Sequence, residues 1–446
     1  MSGDLTRSAR LAGWGRFTPA TCAVAEPSSA ELAGVLTALP TAIARGNGRS
    51  YGDSSLNPDG VIGTRRLSHM LAFDKAAGVM TCQAGVMLAD VIEVVLPHGW
   101  FVPVTPGTRF VTIGGMIASD VHGKNHHGAG SFGDHLAWLD LALADGRIVR
   151  CSRDEAPDLF AATCGGMGLT GVILRAQFRL IPVETARIRT RTIHTPDLDA
   201  AFDAFEAAHS ATYTVGWTDA LATGRHLGRT IVFIGEHARR DELPVAERGQ
   251  PFATPNKRPK RFPIDLPPIA MSRLPVQMMS WAYGLANPPG ETLDDLYTYF
   301  YPLDAILDWN RIYGARGFVQ YQCVLPTAES RTGMRRLLEE ISRRGGSSFL
   351  TVLKRMGPSS FGHLSFPMDG YTLAIDFQAR PQTLAMLDRL DAITAEHGGR
   401  IYLTKDSRAK PAVLAGYPKL DAFREVRRRY GLSGIFESLQ SRRLEI

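Results

Sequence analysis

Cysteine is scarce. The chain of 446 residues has five, at Cys22, Cys82, Cys151, Cys164 and Cys323, an odd number with no C-x-x-C pair. Neither a disulfide framework nor a cysteine zinc ribbon is expected. Long apolar runs are also missing, since no window approaches the roughly 18 consecutive apolar residues of a membrane helix. Met1-Ser2-Gly3-Asp4-Leu5-Thr6-Arg7 lacks the basic and apolar stretches of a secretory leader. The expected location is therefore the cytoplasm or the periphery of a membrane. Charge of one sign is in small excess, with 50 Lys plus Arg against 44 Asp plus Glu, a net +6. The basic residues are dispersed and no nucleic-acid module is recognisable, so nucleic acid is not an expected partner. An anionic ligand or an anionic lipid surface is compatible with the charge. There is no repeat of fixed period and no G-x-x-x-x-G-K-[ST] phosphate loop.

What is present is ordinary for a globular protein: 44% hydrophobic and 21% charged residues, in a length that accommodates two to three domains at about 150 residues each. Ser28 and Glu31 fit a capping box opening a helix over 28–39, with Leu32, Val35, Leu36 and Leu39 on one face. Thr41 to Ala44 reads as a strand running into the glycine-rich Arg45-Gly46-Asn47-Gly48-Arg49-Ser50-Tyr51-Gly52-Asp53. A helix is expected over Leu88 to Leu96, a hairpin turning at Asp145-Gly146, a helix over 158–163 and a strand over Val172 to Ile181. Pro251 to Pro275 is rich in proline and base, and reads as a loop without regular structure. Its run Lys257 to Arg261 is either a contact for anionic headgroups or a solvated surface. A strand from Arg400 to Leu403 precedes arginine-rich helical segments.

Gly166-x-Gly168-x-x-Gly171 matches the dinucleotide fingerprint in pattern but follows a helix and opens a strand, the reverse of the required context. The loop from Gly46 to Gly52 also fails as a Rossmann loop, because Tyr51 occupies the third glycine position. Two glycine-rich loops some sixty residues apart can nevertheless offer many backbone N–H groups to one pyrophosphate. Taken in order, Ile43 to Asp53, Pro106-Gly107-Thr108-x-x-x-Thr112-x-Gly114-Gly115 and Gly165-Gly166-x-Gly168-x-Thr170-Gly171 resemble the three stations along FAD in the vanillyl-alcohol-oxidase superfamily. Within it the chain is similar over nearly its whole length to the decaprenylphosphoryl-ribose 2′-oxidase family. Leu11-x-Gly13-Trp14-Gly15-Arg16, His122-Gly123-Lys124-Asn125-His126-His127, Gly130-Ser131-Phe132-Gly133, Gln320-Tyr321-Gln322 and Lys405-Asp406-Ser407-Arg408 carry that likeness.

The resemblance implies an α+β, two-domain FAD-binding fold of the vanillyl-alcohol-oxidase type (PCMH-type). An FAD-binding domain would span 1–183, an antiparallel-sheet substrate domain 184–399, and 400–446 would return to the first. It implies FAD held by Arg45, Gly46, Asn47, Gly48, Arg49, Ser50, Tyr51 and Gly52, with Gly107, Thr112, Gly114, Gly115, Ser119, His122, Val172 and Tyr402. Many members of the superfamily link the flavin to a histidine of the first loop. Tyr51 stands there in this chain, so the FAD is expected to be non-covalent. Lys405 matches the family's essential lysine beside the flavin, with Tyr402 three residues before it, and the two are the implied catalytic residues, Lys405 as base or as hydrogen-bond partner of the alkoxide; alone, Lys405 would read as a surface lysine. Lys124, Lys354, Gln320, Gln322 and Trp217 are implied to bind substrate. Gln320 and Gln322 alternate on a strand and so share a face, whether of a polar pocket or of a solvated edge. His122, His126 and His127 are interrupted by glycines with no carboxylate interleaved, and no metal site is expected.

The implied reaction is FAD-dependent oxidation of the 2′-hydroxyl of a polyprenylphosphoryl-β-D-ribose to the 2′-keto sugar. It is the first half of an epimerisation toward the donor for cell-wall arabinan, completed by a short-chain-type reductase. A related oxidase of a free sugar, alditol or aldonolactone and a non-catalytic flavin-fold subunit are the rivals. The sequence departs from the family at Ala374, where a cysteine targeted by covalent nitroaromatic inhibitors is usual, at Phe300-Tyr301-Pro302, and at Thr372 and Val215, where more polar residues are expected. The loss of that cysteine implies resistance to covalent capture, not loss of activity.

Overall fold

Strands dominate where β-branched and apolar residues alternate, and their registers decide which side chains meet. In the computed structural model, residues 6–255, 259–344 and 348–446 are described. Val172–Arg179 turns Ala176 and Phe178 inward and Arg175 and Arg179 outward. It lies at the centre of a five-stranded antiparallel sheet, flanked by Val79–Gln83 and Leu136–Ala142, with Met70–Asp74 and Ile148–Ser152 at the edges. A smaller sheet runs Arg7–Leu11, Ala20–Ala25, Val61–Gly63, Ile43–Arg45, its last three strands parallel. One apolar core, including Ile43, Leu88, Ile113, Phe178 and Phe423, joins both sheets to the C-terminal helices.

An eight-stranded antiparallel sheet follows in the order Gly290–Asp295, Arg187–Thr195, Thr230–His237, Tyr213–Thr218, Thr351–Met356, Gly370–Gln378, Phe318–Pro326, Arg400–Ile401. On one face, Tyr321, Cys323, Leu325, Leu373 and Ile375 join a core with Met334, Leu337 and Ile341 of the helix Thr327–Arg343 and Leu387 and Leu390 of Pro381–Glu396. The period of two sends the alternate residues to the opposite face. Register places Gln320 opposite Asp376, Gln322 opposite Ala374, and Lys354 opposite Thr372 on that second face.

Past Ile401 the chain turns. The N–H groups of Lys405 and Asp406 both donate to the Tyr402 carbonyl, and the turn packs backbone to backbone on the first glycine loop. The Tyr51 N–H donates to the Thr404 carbonyl at 3.1 Å. A Cβ at Gly52 would lie 2.1 Å from the Asp406 carbonyl oxygen, so only glycine admits the contact. Arg443 fixes the same junction. Its guanidinium reaches Asp53 and Asp406, each at 2.8 Å, and the Ala409 carbonyl. Burial alone would push the Asp406 carboxyl up; Arg443 and the N–H groups of Arg408 and Ala409 outweigh it and hold Asp406 below the usual carboxylate range.

Several local expectations shift. The first helix is Leu32–Ala38. Glu31 does reach back to the Ser28 N–H, at 2.8 Å, but the Ser28 hydroxyl donates to the same carboxylate, so the pair closes the preceding turn. The strand read over 41–44 is Ile43–Arg45. The strand expected over 172–181 ends at Arg179, and Ile181–Pro182 pairs separately with Trp100–Phe101. The last strand is cut to Arg400–Ile401 because the Tyr402 carbonyl enters the turn. The proline-rich segment is partly regular: Lys260–Arg261 pairs in parallel with Ile306–Leu307, and a helix spans Arg273–Ala286. Pro275 falls in its first turn, where a missing N–H costs no helical bond. Of the basic run, Lys257 and Arg258 lie outside the described residues, Lys260 is exposed, and Arg261 pairs with Asp308 at 2.6 Å.

Arg443→Ala leaves the carboxylates of Asp53 and Asp406 facing each other without their cation. A loss of about 3–5 kcal/mol of stability is expected, the cost typical of removing one partner from a buried ion pair. Denaturant unfolding of the full-length protein measures it; a loss below 1 kcal/mol would mean that Arg443 does not clamp the junction.

Candidate functional site

A cavity of about 670 Å³ runs between the glycine loops of the two smaller sheets and the polar face of the eight-stranded sheet. Gly46, Asn47, Gly48, Arg49, Ser50 and Tyr51 form one part of its wall, and Gly107, Thr112, Gly114, Gly115, Ser119 and His122 the next. Lys124, Trp217, Gln320, Gln322, Lys354, Tyr402 and Lys405 line it as well. The two glycine loops touch. A Cβ at Gly46 would sit 2.2 Å from Thr112 Oγ1, and the Asn47 side-chain amide donates to the Phe110 carbonyl at 2.8 Å. Three expected residues are not on the wall. The Arg45 guanidinium turns away to Ser55 Oγ and the Ala12 carbonyl, Gly52 is covered by Asp406, and Val172 is sealed within its sheet. Met167, Gly168 and Gly171 are on the wall; Gly168 and Gly171 belong to the third glycine motif of the sequence, and Met167 lies between its glycines.

The three lysines are half-buried, each presenting part of its side chain to the cavity. Burial lowers Lys405 far below the ordinary lysine range, with Lys354 adding repulsion and Asp376 opposing the fall. Burial and the Lys354 charge bring Lys124 down to about 7, and burial brings Lys354 to about 8. Lys124 Nζ donates to the Tyr299 carbonyl and lies 4.1 Å from the Tyr299 ring centre. Lys405 Nζ lies 3.7 Å from the centre of the Tyr51 ring, which is itself packed edge-on against Phe318.

Asp376 is the functional group that the sequence reading missed. It is fully buried, and burial raises its carboxyl. One oxygen accepts from Gln320 Nε2 at 2.5 Å and the other from the Tyr313 hydroxyl at 3.4 Å. A lone carboxylate in the otherwise apolar run from Leu373 to Phe377 was the available signal. The glutamines are not on a solvated edge. Their strand lies between Gly370–Gln378 and Arg400–Ile401, and both are buried.

Gln322 defines a further chain. Thr372 Oγ1 donates to the Cys323 carbonyl at 2.7 Å and accepts from Gln322 Nε2 at 3.3 Å. The second amide hydrogen goes to His122 Nε2 at 3.1 Å. His122 is thus a neutral imidazole protonated at Nδ1, as burial and the nearby lysine charges require. Its Nδ1 is buried with no protein partner. The Tyr402 hydroxyl donates to the Ser119 carbonyl at 2.8 Å, and its ring stacks on Phe366. Trp217 donates to the Phe349 carbonyl and packs on Tyr283. At the positions of departure, Ala374 lines the cavity, the Tyr301 hydroxyl is bonded to Thr105 Oγ1 at 2.6 Å, and Val215 contributes an apolar wall. His126 Nδ1 accepts from the Gly357 N–H, and no group of three or more metal-ligating side chains occurs among the described residues.

The wall fits an extended anionic ligand with a planar ring system. Arg49 Nε and His122 Nδ1 are buried donors without protein partners, Arg49 stacks 4.0 Å over Trp14, and glycines of both loops line the same cavity. Residues 24–152 match the model of the FAD binding domain family. The chain is 38% identical to decaprenylphosphoryl-β-D-ribose oxidase of Mycolicibacterium smegmatis, over 99% of this chain and 98% of the relative. It is also 30% identical to mouse L-gulonolactone oxidase and to human Δ(24)-sterol reductase, in each case over less than a third of either chain. With an FAD-binding domain, an α+β fold of the PCMH type and full-length similarity of this degree, the chain belongs to the decaprenylphosphoryl-β-D-ribose oxidase family of FAD-dependent oxidoreductases.

Proposed function

We propose that the protein oxidises the 2′-hydroxyl of a polyprenylphosphoryl-β-D-ribose to the 2′-keto sugar. The substrate class is that named for the mycobacterial relative. The observation in this chain that carries the reading is the set of three half-buried lysines around one cavity, Lys354 on the polar sheet face, Lys124 against Tyr299 and Lys405 against Tyr51 of the glycine loop.

FAD, when bound along the glycine loops, supplies the acceptor for the hydride from C2′. We assign the hydroxyl proton to Lys405 Nζ, because burial leaves a substantial fraction of this amine unprotonated near neutrality. Asp376 acts as its counter-charge and keeps the ammonium form accessible for proton return. Gln320 and Gln322 each spend Nε2 on the protein, leaving Oε1 to accept from sugar hydroxyls. Lys124 and Lys354 suit the substrate phosphate, whose anion restores the charge that burial weakens in both. Tyr402 is a positioning residue, since its hydroxyl is committed to Ser119. Trp217 and Tyr283 offer the first apolar surface to the lipid. Reduction of the keto product is assigned to a separate short-chain-type reductase.

Anaerobic bleaching of the flavin by a short-chain polyprenylphosphoryl ribose tests the reading; bleaching by free ribose, alditols or aldonolactones instead would overturn it. Lys405→Met is expected to slow bleaching by about 10²–10⁴-fold, the range for loss of a general base, with little change in KM. The wild-type rate falls as pH drops below neutrality, because protonation removes the accepting amine. Asp376→Asn removes the anion that stabilises the ammonium, so the acid limb moves to lower pH; movement to higher pH contradicts the pairing. Acid precipitation is expected to leave yellow flavin in the supernatant, whereas a yellow pellet would reveal a covalent bond that Tyr51 is not expected to make.

A further inference from the structure

The helix Arg273–Ala286 has the wrong exterior for a helix facing water. Val276 and Ser280 are buried beneath it, and Tyr283 reaches into the cavity against Trp217. Leu274, Met278, Trp281 and Leu285 recur at i, i+4, i+7 and i+11, the spacing of one helical stripe. All four are between 62 and 69% exposed. Ile264 and Ile269, just before the helix, are exposed as well. Among the described residues the chain has thirteen large exposed hydrophobic side chains, and nine fall between 264 and 306. Scattered apolar residues are normal on a surface; a concentrated patch marks an interaction.

Two observations select the occupant. The first is charge. No Asp or Glu occurs between Asp265 and Glu291. Asp265 is spent on Arg16 and Arg311, while Arg273 is exposed next to Leu274 at the start of the stripe and Lys260 is exposed on the strand paired with Ile306, a residue of the cavity wall. The second is continuity with the substrate cavity. Tyr283 and Asn287, from the inner side and end of this helix, line the cavity together with Ile306 and Leu307. A lipid tail leaving the cavity there emerges beside the apolar stripe.

We propose that Arg273–Ala286 is an interfacial helix that lies on an anionic phospholipid bilayer, its Leu274–Met278–Trp281–Leu285 stripe inserted among the acyl chains and the cavity mouth opening at the membrane surface. A tryptophan within an apolar stripe flanked by cations is the composition that the headgroup boundary accepts. The polyprenyl chain of the substrate can then stay in lipid while its sugar phosphate enters the cavity. This last step rests on the lipid-linked substrate proposed above; the docking itself does not.

FAD-loaded full-length protein, wild type and Leu274→Glu/Trp281→Glu, should be floated with vesicles of phosphatidylglycerol and phosphatidylcholine. In parallel, flavin bleaching is followed with a water-soluble, short-chain polyprenylphosphoryl ribose in the absence of vesicles. The wild type is expected to float and the variant to bind at least tenfold more weakly, while both bleach equally, which shows the variant folded. Trp281→Gln, a milder change, should fall between them. Failure of the wild type to float, equal flotation of the variant, or a wild-type dimer that the variant dissolves without any vesicle binding would each overturn the proposal. Normal flotation of the wild type, lost in the variant, with no bleaching by the soluble substrate in either would support docking and sink the substrate reading alone.

Discussion

Partial burial and a neighbouring cation both lower a lysine's affinity for its proton, and the walls of the cavity impose both on Lys405. Lys405 sits on a tight turn and is covered by Tyr51 from the first glycine loop. Burial of an amine costs less when the charged form retains one counter-ion, and Asp376 supplies it from the adjoining sheet. The same desolvation acts on Lys124 and Lys354. The cavity is consequently short of negative charge, and an anionic ligand completes it.

The parts of the site come from distant stretches of chain, and two kinds of contact bring them together. Antiparallel register sets Gln320 against Asp376 and Lys354 against Thr372, so one sheet face holds the polar residues while the other packs on helices. Backbone packing sets the turn at Lys405 on the loop at Tyr51, with Gly52 admitting the approach and Arg443 neutralising Asp53 and Asp406 beneath it. The geometry of the candidate site thus depends on residues that are not on the cavity wall.

The glycine loops and Lys405 were legible in the sequence through their resemblance to the motifs of a family; taken alone, Lys405 would read as a surface lysine. Nearly every residue expected on that basis lines the cavity. Arg45 was not separable from its neighbours, since nothing local tells that its guanidinium turns toward Ala12 and Ser55. Asp376 was passed over because its importance lies in register with Gln320, across 56 positions of chain. Whether Gln320 and Gln322 faced solvent or a pocket depended on which strands flank theirs, a long-range fact. The helix with Pro275 in its first turn was hidden by the weight given to proline as a breaker. Its exposed stripe carries a helical period that was readable all along.

The most direct measurement is titration of the Lys405 amine itself, by NMR of lysine-labelled FAD-loaded protein, with Lys405→Met assigning the signal. The expected result is an amine that titrates near neutrality, about three units below the roughly 10.4 of an unperturbed lysine. A signal that stays protonated to pH 10 would contradict the assignment of Lys405 as the base.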